Sequence, residues 1–400
     1  MGVEMKPGVA TDPWMGWLNE SLEEWESAEL LRNLRSVEPI TSVHAHCEGR
    51  KLVLFSTNDY LGLSFHPTVR HAVAEAVRHK GMGPRGSALV CGHTLDHERL
   101  ETKIAELKGM ESALLFPTGY AANLSLLSSL ADSDTTFFSD ELNHASIIDG
   151  CRMAKLNGAE VKIYPHRDTE SLERLLRGAA RPKKLIVTDT VFSMEGDLAP
   201  VRELVRLKKE YEAWLLVDEA HGTLVFGENG GGVCESEGIA SEVEIQMGTL
   251  SKALGSQGGY VASNDRLKQW LINRGRSFVF STAIPIPSVV AALAALETVE
   301  NEPAIRNRLW EWVNRFGKGL SRNLHSPIVP IVIGGNEEAM SLSQRLLETG
   351  YHVPGIRPPT VPKGTARLRV ALSAAHELED IEGLLDRLSK EGAAFNSQST

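Results

Sequence analysis

Four hundred residues, 42% of them hydrophobic and 24% charged, are enough to bury a large core and suit two or three domains of a globular protein. The 42 Lys and Arg against 52 Asp and Glu leave a net charge of −10, which argues against general affinity for nucleic acid or an anionic membrane, although a local basic pocket can still take an anion. No apolar run reaches the length of a membrane span, and Cys47, Cys91, Cys151 and Cys234 lie far apart without a CxxC pair, as free thiols of a reducing compartment do and metal ligands do not.

The N-terminus lacks a basic start followed by an apolar core, so no secretory signal is read there, and it turns too acidic for a transit peptide. Cytoplasm is the expected location. Gln398-Ser399-Thr400 is not a peroxisomal tripeptide, and a peroxisomal location is the alternative if a C-terminal signal lies outside this sequence. Trp14, Trp17, Leu18, Leu22 and Trp25 fall on one helical face, with Glu20, Glu23, Glu24 and Glu26 on the others. The acidic polar face argues against a membrane, so this helix is expected to pack on the body or on a partner subunit.

From residue 52 to about 280, helical and strand patterns alternate. Helices are predicted at 67–80, 94–109, 120–130, 144–157, 169–178 and 200–212, and strands at 112–116, 135–138, 160–164, 184–188, 214–217 and 243–247. The alternation predicts an α/β fold with a mainly parallel sheet covered on both faces. Gly81, Gly83 and Gly86 fit GxGxxG, but they follow a helical run and enclose Pro84, so no dinucleotide site is expected. His166-Arg167-Asp168 has the order of a kinase catalytic loop, but Glu173 stands where asparagine is needed. Pro285 and Pro287 break the chain before a helix at 288–300. Helices at 303–322, 336–349 and 376–391 and strands at 328–333 and 367–372 then predict a smaller C-terminal α+β domain. The expected division is an N-terminal helical arm (1–57), a large domain (58–289) and a small one (290–400).

Two runs carry the chemistry. DEAHG at 218–222 puts Asp218 and His221 at the end of the apolar strand 214–217, and GTLSKALG at 248–255 puts Lys252 in a loop of small residues and hydroxyls. A lone lysine is normally a solvated surface charge. Beside an acid at a neighbouring strand end, and among glycines that let a ligand approach the backbone, it suits pyridoxal phosphate. Lysine binds the aldehyde, Asp218 keeps the pyridine nitrogen protonated, and Thr249 and Ser251 are placed for the phosphate. His221 is either a hydrogen-bond partner of the ring hydroxyl or a capping histidine. Gly119-Tyr120 opens a helix after a strand, a usual anion position. His144 at another helix start is either structural or stacked on a cofactor ring, and Ser193 is an ordinary loop serine or a cofactor ligand. Arg357 and Thr360, in a stiff proline-rich turn, suit a carboxylate of an amino-acid or dicarboxylic substrate.

Together FSTNDYLGLS (55–64), GPRGSALVCGHT (83–94), PTGYAAN (117–123), LNHASIIDG (142–150), VFSMEGDLAP (191–200), LLVDEAHGT (215–223), GTLSKALG (248–255), FST (280–282) and RPPTVPKGTARLRV (357–370) resemble the α-oxoamine synthase family of fold-type I pyridoxal phosphate enzymes, from about residue 28 to 390. The resemblance implies a decarboxylative condensation of an amino acid with an acyl thioester. RPPTVP favours L-alanine with a pimeloyl thioester, giving 8-amino-7-oxononanoate in biotin biosynthesis. Other family reactions, with glycine or serine, are the alternative, and an aminotransferase is a more distant one. By resemblance Lys252 is the cofactor lysine and, with His144 and Asp218, catalytic. Gly119, Tyr120 and Thr249 hold the phosphate region, His221 and Ser193 lie at the ring hydroxyl, and His144 stacks. Ser281 and Thr282 reach the phosphate of the neighbouring subunit, which implies a homodimer with shared active sites. Arg32, Asn58, Arg357 and Thr360 are implied substrate contacts, and no metal is implied. Two departures are Tyr120, where relatives often have Phe, and Arg85 in a less glycine-rich GPRGSAL, which would alter the acyl-chain entrance.

Overall fold

The computed structural model describes residues 12–392; Gln398-Ser399-Thr400 lies outside the described residues. After helix Pro13–Ser27 come three short strands: β1 (Glu38–Pro39), β2 (His44–Cys47) and β3 (Arg50–Leu54). A seven-stranded sheet follows from β4 (Ser112–Phe116), β5 (Thr135–Asp140), β6 (Glu160–Tyr164), β7 (Lys183–Asp189), β8 (Trp214–Asp218), β9 (Ile245–Thr249) and β10 (Gly259–Ser263), in the order β4-β10-β9-β8-β7-β5-β6. From β6 through β9 every pair is parallel, whereas β10 runs antiparallel to both β9 and β4.

The inner parallel strands β5, β7, β8 and β9 are buried through most of their length because helices cover both faces. Leu215, Leu216 and Val217 of β8 are all fully buried. Local chemistry starts the crossover helices. Thr118 accepts the Ala121 N–H at 3.0 Å before helix Gly119–Ser129, and Asp168 accepts the Ser171 N–H at 2.8 Å before helix Thr169–Arg177. Asp140, Asp189, Asp218 and Thr249 are the last residues of β5, β7, β8 and β9. These strands are neighbours, so one sheet edge gathers four polar side chains where parallel sheets bind their ligands.

β10 escaped the sequence reading because Gly258 and Gly259 look like the soft flank of the Lys252 loop. The structure uses Gly259 for close approach: a Cβ there would lie 2.6 Å from the backbone of Gly119. Beyond helix Pro13–Ser27 the N-terminal segment is not helical. β2 and β3 pair antiparallel, and β3 pairs parallel with β12 (Tyr351–His352) once β11 (Ile328–Gly334) has passed. β13 (Gly355–Ile356) and β14 (Ala366–Ala371) complete a three-stranded sheet, order β11-β14-β13. The backbone of Phe55 bonds to both His352 and Ala371, which knits the N-terminal strands to the C-terminal ones.

Helix Ile286–Asn301 is buried along most of its length and packs on helices Pro67–Lys80 and Leu95–Lys108. Helix Pro13–Ser27, expected to pack on the body or on a partner, buries no residue in this chain, with Trp14 71% exposed. Gly81 ends helix Pro67–Lys80 at φ +79°, a helix stop and not a phosphate loop. The four cysteines are unpaired. Among the described residues no helix is long and apolar enough to cross a membrane.

Candidate active site

β8 delivers Asp218 and, one turn later, His221; β9 delivers Thr249 and then Lys252. Lys252 Nζ lies 2.8 Å from His221 Nε2, and His221 Nδ1 lies 2.6 Å from the Tyr60 hydroxyl. Tyr60 donates to Asn58 Oδ1 at 3.2 Å, and Arg369 donates to the same oxygen through both terminal nitrogens at 3.3 Å. One proton assignment satisfies the whole row: Lys252 donates to Nε2, the Nδ1–H of a neutral imidazole donates to Tyr60, and Tyr60 donates to Asn58. Burial, with Lys252 and Arg369 nearby, pushes the His221 imidazole well below the usual histidine range, which keeps it neutral. Burial also lowers Lys252 to about 8, against the pull of Asp218 and Asp189. The amine is therefore freed at a far lower pH than that of a solvated lysine.

Asp218, only 3% exposed, accepts from Asn123 Nδ2 at 2.8 Å and from the Ala220 N–H at 2.9 Å. Asp189 lies opposite it in register on β7, and burial beside that carboxylate raises Asp189 well above the ordinary range. Asp189 accepts the His144 N–H at 2.7 Å. His144 caps helix Ala145–Leu156: its Nδ1 accepts the Ser146 N–H at 3.2 Å, which leaves the ring proton on Nε2. The His144 imidazole keeps an exposed face, yet the surrounding protein holds it below the usual histidine range. Tyr120 meets it edge-on, 6.4 Å between ring centres, and donates its hydroxyl to Asp149.

Gly119 sits against Thr249, whose hydroxyl donates to the Gly258 carbonyl at 2.8 Å. Ser193 offers its carbonyl to Arg369 Nε at 2.6 Å. The structure thus gathers Asn58, Gly119, Tyr120, His144, Ser193, Asp218, His221, Thr249 and Lys252 around the sheet edge. Arg32, Arg357 and Thr360 form a second group. Arg32 donates to Thr360 at 3.3 Å, and Arg357 donates to the Leu31 carbonyl at 2.7 Å beside a cavity of about 400 Å³. Among the described residues no hydrogen bond joins these three to the Lys252 row. Ser281 and Thr282 stand apart too, on a loop held by the Ser87–Thr282 bridge and by His97 donating to the Ile284 carbonyl at 2.9 Å.

Four residues of the site were missed from sequence: Tyr60 and Arg369 in the row, and Asn123 and Asp189 around Asp218. Arg369 had a visible signal. Arg367 and Arg369 alternate with buried Leu368 and Val370, so two cations point to one side of an interior strand. Arg369 is 5% exposed and has no carboxylate within salt-bridge distance among the described residues. Tyr60 and Asn123 had no local signal, because the site residues they bond, His221 and Asp218, lie 161 and 95 positions away.

A profile of the class I and II aminotransferases matches residues 50–388. An 8-amino-7-oxononanoate synthase from Arabidopsis thaliana is 48% identical over 355 residues, 85% of this chain and 75% of the relative. Another from Anaeromyxobacter dehalogenans (strain 2CP-1 / ATCC BAA-258) is 45% identical over 381 residues, 94% of this chain and 95% of the relative. Among solved structures, a serine palmitoyltransferase from S. paucimobilis with a bound pyridoxal phosphate–myriocin aldimine superposes with a TM-score of 0.90 at 30% identity, covering 96% of this chain and 99% of that one.

Proposed function

The chain belongs to the class I and II aminotransferase family, and from that membership we propose that it is a pyridoxal-phosphate-dependent acyltransferase of biotin biosynthesis. It condenses L-alanine with a pimeloyl thioester, on coenzyme A or a carrier protein, and releases 8-amino-7-oxononanoate, carbon dioxide and the free thiol. The observation that carries this is the Lys252 amino group, 2.8 Å from His221 and lowered to about 8 by burial, beside Asp218 at the next strand end. The relatives at 45–48% identity supply the substrate class.

The residues present fit the cofactor. Asp218 is a buried carboxylate with only an amide and a backbone donor, so it can take a protonated ring nitrogen. Asn123 Oδ1 is buried without a partner at the same place. Gly119 and Gly259 keep the backbone bare at a helix start. Lys252 would hold the aldehyde carbon, His221 and Ser193 the ring hydroxyl, His144 the ring face, and Gly119, Tyr120 and Thr249 the phosphate. Ser281 and Thr282 would complete the phosphate site of the neighbouring subunit in a homodimer. When bound, the cofactor supplies an electron sink for charge developing at the substrate Cα.

Lys252 then takes the Cα proton as general base. Arg369, a planar donor without a carboxylate of its own, holds the alanine carboxylate. His144 turns its Nε2–H to the thioester carbonyl, since Nδ1 is committed to Ser146. Arg32, Arg357 and Thr360 take the far end of the acyl donor beside the cavity that Arg357 lines, and Asn58 holds Arg369 and Tyr60 in place.

Purified protein is mixed with pyridoxal phosphate and a matrix of amino acids and acyl-coenzyme A thioesters, with thiol release followed and products weighed. Release with L-alanine plus pimeloyl-coenzyme A, and not with glycine plus acetyl- or succinyl-coenzyme A, is expected. A preference for serine with a long-chain thioester is the second reading, favoured by the serine palmitoyltransferase likeness, and would overturn the substrate assignment. The expected compartment is the cytoplasm.

A further inference from the structure

The run His166-Arg167-Asp168 is not used by the reaction, yet its histidine is among the most heavily bonded on the molecule. It lies in the turn after β6. His166 Nδ1 is 3.0 Å from Asp140 Oδ1, and Nε2 is 3.0 Å from Asp197 Oδ2. With a carboxylate on each nitrogen, both carry protons. The ring edge meets Phe192, 4.3 Å between centres at 88°. Arg167, at φ +58°, sends its N–H to Asp140 Oδ2 at 2.8 Å and its guanidinium to Asp197 Oδ2 at 3.0 Å. The His166 N–H goes to Glu141 at 2.8 Å.

The two carboxylates belong to two different loops of the site. Asp140 ends β5 and opens the turn to His144, accepting the Leu142 N–H at 2.9 Å. Asp197 lies in the hairpin 190–199, closed by the Val191–Leu198 bridge and by Phe192 donating to the Asp197 carbonyl at 3.1 Å. Ser193 is at the tip of that hairpin. Its far side is gripped by Arg369 on Ser193, by Arg367 on Met194 and Glu195 at 3.1 Å, and by Ser326 on Gly196 at 2.7 Å. On the near side His166 and Arg167 make the corresponding grip.

We propose that His166 is a positioning residue: by bridging Asp140 and Asp197 it ties the turn that presents His144 to the hairpin that presents Ser193, and so holds both in register around the cofactor. Its effect on the cofactor rests on the functional reading above; the tie itself does not. The groups facing His166 are Asp140, Asp197, Glu141 and Glu195, with Arg167 as the neighbouring cation. Burial opposes the charge on His166, but the bonds to Asp140 and Asp197 win and hold it up at about 9.

The test measures amide hydrogen exchange over 140–147 and 190–199 in wild type, His166→Gln and Asp197→Asn, first without added cofactor. Both segments of His166→Gln are expected to exchange about tenfold faster while β8 stays protected. Unchanged exchange in either segment overturns the tie. With pyridoxal phosphate added, His166→Gln is expected to weaken the visible circular dichroism of the bound cofactor and raise its dissociation constant about tenfold. In wild type the same dichroism declines as pH rises through about 9, and in the variant that limb is absent. Cofactor dichroism and affinity equal to wild type overturn the positioning role. A wild type that binds no pyridoxal phosphate overturns the functional reading instead, and exchange still decides the tie. If His166→Gln does not fold, Asp197→Asn, which leaves the Asp140 pair, is expected to loosen the hairpin alone; a hairpin as protected as in wild type overturns the proposal.

Discussion

Lys252 and Arg369 divide the work at the level of single side chains. Lys252 must reach a neutral state to act as base, and burial lowers it to about 8 to allow this. Lys252→Ala is expected to lose the visible absorbance of lysine-bound cofactor and to cut thiol release by at least ~10²–10⁴-fold, read by spectrophotometry and a thiol assay. Arg369 must stay charged and planar. Arg369→Lys is expected to raise the KM for L-alanine by ~10- to 100-fold, about 1.4–2.7 kcal/mol, with a smaller effect on the acyl donor. An equal rise for both substrates would remove Arg369 from the carboxylate site. His166 has the opposite shift to Lys252. Its folded value lies above that of a free histidine, so the stability it adds is fully present below about 6.5 and is lost as pH rises through about 9. Thermal denaturation across pH 6–10 is expected to show that decline in wild type and a flatter profile in His166→Gln. Asp218, His221 and Lys252 were legible in sequence because each sits in a short run ending an apolar strand. Tyr60 and Asp189 were not, because an ordinary tyrosine and an ordinary strand-end aspartate gain meaning only from what faces them.

At the scale of elements, the site depends on β10 pressing against the start of helix Gly119–Ser129. That contact leaves no room for a side chain: a Cβ on Gly259 would lie 2.6 Å from Gly119 Cα and N. Gly259→Ala is expected to cost about 1–3 kcal/mol or more and to weaken pyridoxal phosphate binding, checked by melting temperature and cofactor titration. Stability and cofactor affinity like those of wild type would mean that the helix start yields freely. The parallel core was readable because β7 and β8 carry apolar runs, 185–187 and 215–217, between amphipathic helices. β2 was not, since His44-Ala45-His46-Cys47 hides a buried alternation of Ala45 and Cys47 behind two histidines. β10 was not, since its two leading glycines resemble a loop.

At the scale of the whole molecule, Phe280 is 74% exposed at the edge of the loop that holds Ser281 and Thr282, and among the described residues no hydrogen bond joins that loop to the Lys252 row. A second copy of the chain is the proposed recipient. Refolded mixtures of Lys252→Ala with Ser281→Ala/Thr282→Ala chains are expected to recover about a quarter of wild-type activity, because half the dimers are mixed and each has one intact site. No recovery, with mixed dimers present by mass, would place Ser281 and Thr282 outside shared sites. The sequence by itself determined the chemistry-bearing runs, the alternation that makes a parallel sheet, and the resemblance that names a reaction class. These are local patterns, set by side-chain period and by the neighbours of one lysine. Only the tertiary structure decided that Asn58, Tyr60 and Arg369 meet His221, that Arg32 and Arg357 form a separate group, and that His166 bridges two loops of the site. Those contacts join residues as much as 328 positions apart. They arise from how strands and turns pack around the sheet edge, which no window of the sequence contains.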